Sequence, residues 1–265
     1  MVRTEADVSG VVVESLLDRR HDLVLARADL RPLFTAWRRH AHALELLPPE
    51  PACRHMEHLL AAVTLYLALH PPDEFVACTL NLLPYQLNLF ASGDNSTYQL
   101  TGRVYTRNVK TTESSRLFLE SQRPRHQPRR STVDVEGESV LVMFEQYYWR
   151  SEQISTRLFS RKGAEFVMLQ GLPAADRTWL RRLEEKTLAD YLQGDFERIE
   201  TRRYSLGCGC HPKKILAVVH GIYRDRPEEL FAGQQQVEVS CPRCGRRYWL
   251  SREDFDRGPG GVGAA

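Results

Sequence analysis

Cys208-Gly209-Cys210 and, after a gap of 30 residues, Cys241-Pro242-Arg243-Cys244 place four thiols in two tight pairs near the end of the chain. Four soft ligands are the number and kind that tetrahedral zinc prefers, so the spacing predicts one zinc per chain held by Cys208, Cys210, Cys241 and Cys244. His211 and His220 offer imidazole alternatives, but four thiols already fill the tetrahedron. The surrounding segment, about 50 residues, is below the size at which an apolar core stabilises itself. Structural zinc contributes on the order of 10–16 kcal/mol of apparent binding free energy, so this module is expected to unfold without metal. Zinc thiolates are also nucleophiles that oxidants convert to disulfides. The same four residues can therefore be a staple or a switch.

Small elements flank the cysteines. Pro212 opens a helix bearing Ile215, Leu216, Val218 and Val219, with Gly221 beyond it. Pro227, Glu228 and Glu229 suit a second helix start, and Gly233 its end. Val237 and Val239 lead into Cys241-Pro-Arg-Cys244-Gly245, a zinc-knuckle turn whose amides point at the sulfurs, and Tyr248 and Leu250 leave it. Arg243, Arg246 and Arg247 favour thiolate, or are ordinary surface charge. No βαβ pattern precedes the Cys-x-x-Cys, which argues against a thioredoxin-like motif. Gly209 permits the bend that a Cys-x-Cys disulfide needs, and equally the wrap of the chain around a metal.

Toward the N-terminus, Asp29 to Leu47 carries a helical stripe of Leu33, Phe34, Trp37, Ala41 and Leu44, stopped by Pro48-Pro49. Residues 52–69 form a helix that is apolar nearly all round in its latter half, the mark of a core element. The period then shortens: 75–82, 86–91, 98–106, 116–120 and 132–135 read as strands, and Ser139 caps a helix to about Arg150. A hairpin over 154–170 turns at Lys162-Gly163. Asp176 to Arg203 holds seven acidic and seven basic residues around a stripe of Trp179, Leu180, Leu183, Leu188, Tyr191 and Leu192. With little apolar area to dock it, it reads as a linker. The fold class is α+β. An N-terminal mixed sheet-and-helix core (1–172) is followed by a charged helical linker (173–203), a small zinc-binding domain (204–256) and a disordered tail (257–265).

The 265 residues are 42% hydrophobic and 26% charged with a net charge of +2, values of an ordinary globular protein with no strong pull toward nucleic acid. The arginine-rich stretch Gln122–Arg130 reads as a solvated loop, with an RNA- or ribosome-associated role as a minor alternative. No apolar run spans a bilayer, and Met1–Asp7 lacks the layout of a signal peptide. With four of six cysteines set as metal ligands, a reducing cytoplasm is the expected compartment. Cys53 and Cys78 read as inert core residues. No catalyst is expected: the zinc has no open position, His55, His58 and His70 sit on or beside the core helix, and no triad, P-loop or dinucleotide pattern stands out.

The cysteine pattern, together with Tyr147-Tyr148-Trp149-Arg150-Ser151-Glu152-Gln153, Thr156-Arg157-Leu158-Phe159 and Met168-Leu169-Gln170, resembles the heat shock protein 33 family of redox-regulated holdase chaperones. The likeness runs from about Ala28 to Phe255. The segment from Pro173 to Cys208 is shorter than that family's linker, and Leu82-Leu83-Pro84 stands where its Gly-rich turn is expected. The resemblance implies an ATP-independent holdase that is quiet when reduced and zinc-bound. Oxidation would give Cys208–Cys210 and Cys241–Cys244 disulfides, release zinc, unfold the module and linker and expose a surface for unfolding clients. The oxidised form would often be a dimer, and clients would later pass to ATP-dependent chaperones. A zinc-stapled chaperone or adaptor without redox switching is the alternative.

Overall fold

The computed structural model describes residues 10–109, 113–161 and 164–258, and the chain divides between Gly207 and Cys208 into two units. The first unit opens with two strands, β1 (Val11–Asp18) and β2 (Leu23–Asp29), then two helices, α1 (Arg31–Ala43) and α2 (Glu50–Ala68). Strands β3 (Phe75–Leu82), β4 (Leu87–Asp94), β5 (Gln99–Tyr105), β6 (Ser115–Gln122) and β7 (Arg129–Val135) follow. Helix α3 (Val140–Tyr147) runs through a π-helical turn (Tyr148–Glu152) into the hairpin β8 (Thr156–Arg161) and β9 (Glu165–Gly171). The unit ends with α4 (Arg177–Arg182), α5 (Glu185–Tyr191) and β10 (Glu197–Leu206). The expected α+β class, a mixed sheet with helices, is what forms.

All ten strands join one sheet in the order β7-β6-β3-β4-β5-β10-β1-β2-β9-β8. Helix α2 lies on its inner face, and from Leu59 to Ala68 every side chain is buried. Two glycines let it approach: a Cβ at Gly93 would sit 2.3 Å from the Leu67 side chain, and one at Gly102 2.4 Å from that of Met56. Trp37 of α1, 1% exposed, donates its indole N–H to the Gly102 carbonyl at 3.1 Å. The arginines of the Gln122–Arg130 stretch are largely neutralised: Arg123 pairs with Asp73, Arg129 with Glu152 and Arg130 with Glu120. Where a Gly-rich turn was expected, Leu83–Tyr85 makes a 3-10 turn and Gln86 takes the left-handed conformation (φ 49°).

The charged stretch 173–203 is not a free connector. Helices α4 and α5 bury Leu180, Leu183, Leu188 and Leu192 against Leu16, Leu23, Leu25, Phe159, Val167 and Leu169 on the outer face of the β1-β2-β9-β8 half. Polar contacts fix this lid. Arg157 of β8 donates to the carbonyls of Arg181 (2.9 Å) and Leu183 (2.8 Å) at the end of α4, and its Nε to Glu145 of α3 (3.2 Å). Tyr191 donates its hydroxyl to the buried Asp18 carboxylate at 2.7 Å, and His21 stacks on Trp179 with ring centroids 4.2 Å apart. Burial opposes ionisation of Asp18, yet hydrogen bonds from Tyr191 and His21 hold its carboxyl below the usual range.

The remainder of that stretch is β10, an inner strand. It pairs antiparallel with β1 from Tyr204–Val11 to Glu197–Leu17 and parallel with β5 at Ser205–Gln99 and Leu206–Leu100. Alternation overrides its charge. Arg202 is buried beneath the sheet, where its guanidinium donates to the carbonyls of Leu67 (2.7 Å) and His70 (2.8 Å) at the C-terminus of α2 and to Glu200 (2.6 Å). Tyr204 donates to Asn95 at 2.7 Å, and the Asn95 amide in turn donates to the carbonyls of Leu67 and Pro71.

The second unit contains α6 (Pro212–Tyr223), α7 (Pro227–Phe231), the antiparallel hairpin β11 (Gln236–Ser240) and β12 (Arg247–Ser251), and α8 (Arg252–Arg257). Helix α6 continues past Gly221, and Val218 faces solvent at 59% exposure rather than the core. Arg257 belongs to α8 instead of a tail. Lys162-Gly163 and residues 259–265 lie outside the described residues.

Replacing Arg202 by Met should leave two carbonyls of the α2 terminus short of a buried donor and lower the stability of the first unit by about 3 kcal/mol. Urea unfolding checks this, and a loss below about 0.5 kcal/mol would remove Arg202 from that role.

Candidate metal centre

The two cysteine pairs enter the second unit from different elements. Cys208 and Cys210 follow β10 and precede α6, and Gly209 between them adopts φ 61°, a turn that folds both side chains to one side. Cys241 and Cys244 sit between β11 and β12. There the Gly245 amide (φ 81°) donates to the Cys241 carbonyl at 2.9 Å and the Cys241 amide to the Arg246 carbonyl at 2.8 Å, closing the knuckle.

All four sulfurs lie within 4.8 Å of one another. Cys208 and Cys241 are 3.8 Å apart and Cys210 and Cys244 3.5 Å apart, sulfur to sulfur. Zinc–sulfur bonds of about 2.3 Å in a tetrahedron set the sulfurs about 3.8 Å apart, so this cluster could hold one zinc ion. Cys241 and Cys244 are 2% and 4% exposed, whereas Cys208 and Cys210 are half-buried. None of the six cysteines is in a disulfide, and Cys53 and Cys78 are buried in the first unit.

The thiols share their protons unequally. Hydrogen bonds from Cys208 and Cys244, and then from the backbone amides of Cys244 and Arg243, push the Cys241 thiol down. Hydrogen bonding to Cys241 and Cys244 pushes Cys208 up, and burial pushes Cys210 up. Within this coupled set the surroundings favour the thiolate at Cys241, led by the Cys208 thiol. Neighbouring thiols and amides, rather than the nearby arginines, lead that effect.

Tyr248 is a member of the centre that the cysteine spacing does not disclose. Its hydroxyl donates to the Cys210 carbonyl at 3.0 Å and lies 3.1 Å from the Cys210 sulfur. Its position on β12, four residues beyond Cys244, is the only signal in the sequence. Lys214 holds the other side by donating to the Gly209 carbonyl at 3.2 Å. Around the cluster lie Ile215, Leu216, Val219, Phe231, Leu250 and Phe255, a core of six side chains beyond the cysteines.

The histidines do not join. His211 stands at the N-cap position of α6 with no side-chain capping hydrogen bond, and His220 packs on the Phe255 ring at 5.1 Å. His55 packs on Tyr85, His70 stacks on Tyr66, and burial pushes His58 down to about 4. Among the described residues the four cysteines are the group that could hold a metal ion, and no helix is long and apolar enough to cross a membrane.

A family model described as "Hsp33 protein" matches residues 94–251, more than half of the chain and inclusive of all four cysteines. The chain belongs to the Hsp33 family. Curated relatives include the 33 kDa chaperonin of Nitrosococcus oceani, 25% identical over 170 residues (56% of this chain, 59% of that protein), and that of Chromobacterium violaceum, 28% identical over 163 residues (53% and 55%). The chain thus spans little more than half the length of these Hsp33 relatives. The crystal structure of the 33 kDa chaperonin (heat shock protein 33 homolog) of Thermotoga maritima has the same fold. Its TM-score is 0.67 over 94% of this chain and 97% of that one, at 15% identity. The segment Tyr147–Gln153 runs from the end of α3 through the π-helical turn to its cap, and Glu152 accepts from Tyr147 (2.6 Å) and Arg129 (2.7 Å).

Chelation of the reduced protein should abolish the helical signal of α6 while the first unit keeps its cooperative melt, followed by circular dichroism. Tyr248→Phe should weaken zinc retention about tenfold in competition with a chelating dye, and unchanged retention would show that the hydroxyl is incidental.

Proposed function

We propose that this Hsp33-family protein is an ATP-independent holdase chaperone whose second unit is a redox switch. In the reduced state Cys208, Cys210, Cys241 and Cys244 hold one zinc ion, which offsets half the charge of four crowded thiolates and fixes the small core around them. The observation that carries the reading is the set of four sulfurs within 4.8 Å of one another in a unit with little other core.

The switch chemistry follows from the thiolates. Cys241 attacks a peroxide oxygen, breaking the O–O bond to give a sulfenic acid and hydroxide. Cys244 then attacks that sulfur, forming the Cys241–Cys244 disulfide and expelling a second hydroxide, so that two electrons pass to the peroxide. A second equivalent oxidises Cys208 and Cys210. Disulfide sulfur is a poor zinc ligand, so the set loses its metal and the unit its staple. Between Cys208 and the lid runs only β10. Fraying of its C-terminal end, where it meets β5 over two residue pairs, is the covalent route by which α4 and α5 come away from Leu16, Leu23, Leu25, Phe159, Val167 and Leu169. Those six side chains form an apolar surface suited to unfolding polypeptides. Return to reducing conditions, with hand-over of clients to ATP-dependent chaperones, closes the cycle in the cytoplasm. Association of two oxidised chains through the same surface fits its apolar character.

One observation favours a second reading, a constitutive zinc-stapled chaperone. β10 is an inner strand with a long antiparallel pairing to β1, and that pairing resists propagation of unfolding past Gly207.

A single oxidation time course separates the two. Peroxide with mild heat, or hypochlorite, should release one zinc per chain while light scattering of an unfolding client falls. Equal protection before and after oxidation would assign the constitutive reading. Zinc release with full aggregation of the client would overturn both.

A further inference from the structure

A pocket of about 260 Å³ opens in the first unit where the residues after α2 and before β3 meet the connection from β6 to β7. His70, Glu74 and Ser121 line it together with Arg123, Gln127 and Arg129 of the connecting segment. Its charges do not balance. Arg123 pairs with Asp73 at 2.9 Å, Arg129 with Glu152 at 2.7 Å and the neighbouring Arg202 with Glu200 at 2.6 Å. Glu74 is left over. It is 5% exposed and hydrogen-bonded to Ser121, and the Arg123 guanidinium comes no closer to it than 3.9 Å, beyond hydrogen-bond reach. Burial pushes its carboxyl up, the response of a carboxylate short of a counter-ion.

His70 supplies a second acceptor. Its Nδ1 lies 2.6 Å from the Tyr66 carbonyl, which can only accept, so the ring proton sits on Nδ1 and Nε2 keeps its lone pair. Burial pushes the imidazole down, which favours this neutral form, and stacking on the Tyr66 ring at 3.7 Å fixes its plane. Gln127, on the exposed side, adds an amide oxygen.

We infer that this pocket binds a primary alkylammonium group. The ammonium pairs with Glu74 and donates its other hydrogens to His70 Nε2 and the Gln127 amide oxygen, while its alkyl chain leads out toward solvent. Three separate acceptors suit the three donors of an ammonium, whereas a planar guanidinium prefers one carboxylate held bidentately. An anion would meet the uncompensated Glu74 carboxylate while both lining arginines are already engaged, so it is rejected. The volume admits a short chain rather than a folded partner. A free amine and the lysine side chain of another protein present the same group to the site.

The test titrates the reduced, zinc-loaded full chain with n-butylamine near neutral pH, with butyrate and butylguanidinium as anionic and planar controls of similar length, followed by backbone amide chemical shifts. Butylamine should bind about tenfold more tightly than either control and shift the amides of Glu74 and Ser121. Glu74→Gln keeps the shape, removes the charge and should weaken butylamine about tenfold. Gln127→Lys, at an exposed position, brings a tethered ammonium of its own and should also weaken it about tenfold, an independent check should Glu74→Gln perturb the fold. Absence of butylamine binding, equal binding of butyrate or butylguanidinium, or an affinity for butylamine unchanged in both variants would overturn the site. Spermidine and the amide of Nα-acetyl-lysine, titrated in parallel, separate the two sources: the tighter of the two names the source, and equal affinities make the ammonium alone the recognised group.

Discussion

The central constraint is the placement of β10. Without it the sheet would be two antiparallel pieces, β7-β6-β3-β4-β5 and β1-β2-β9-β8, with nothing to join their inner edges. The strand also carries Arg202, which supplies buried donors to the carbonyl end of α2, the helix on which the core is built. A buried guanidinium is tolerated here because three acceptors meet it, and a helix C-terminus is where positive charge is favoured. The same strand lies between the lid and the cysteine centre in the chain. Stability of the first unit and, in the proposed switch, transmission from the second would therefore rest on the same ten residues.

The metal centre meets a different need. Among its described residues the unit has six buried core side chains beyond the cysteines, with Tyr223, Leu230, Val237, Val239 and Tyr248 partly buried against them, a small core for the ordering of some 50 residues. Four sulfurs within 4.8 Å of one another could hold a metal ion, and in the proposed zinc-bound state coordination replaces the missing burial. Under the proposed reading that dependence is what would make oxidation consequential, since a change at two sulfur pairs would remove the stabilising term of the whole unit. The lid shows the same economy: four leucines and a few polar latches hold α4 and α5 on the sheet, with Arg157 serving α3 and α4 at once.

The cysteine spacing disclosed the ligand set because metal geometry demands short intervals. The apolar surround of Leu59–Ala68 likewise marked α2, since only a fully enclosed helix is apolar on every side. The charge of 197–203 hid β10. A count of charged residues treats every arginine as solvated, whereas Arg202 is buried and donates to carbonyls more than 130 residues away. The first hairpin, Val11–Asp18 and Leu23–Asp29, carries only a short alternation and the Arg19–Asp22 break as its signal. Tyr248 and the pocket beside Glu74 depend on where elements meet in space, which no local pattern encodes.

Amide hydrogen exchange of the reduced and the oxidised, metal-free protein, compared segment by segment, tests the central claim most directly. The account expects oxidation to remove protection from 208–258, from the C-terminal half of β10 and from α4 and α5, while α2 and β3–β6 keep theirs. Loss of protection that stops at Gly207, with α4 and α5 still slow to exchange, would contradict it.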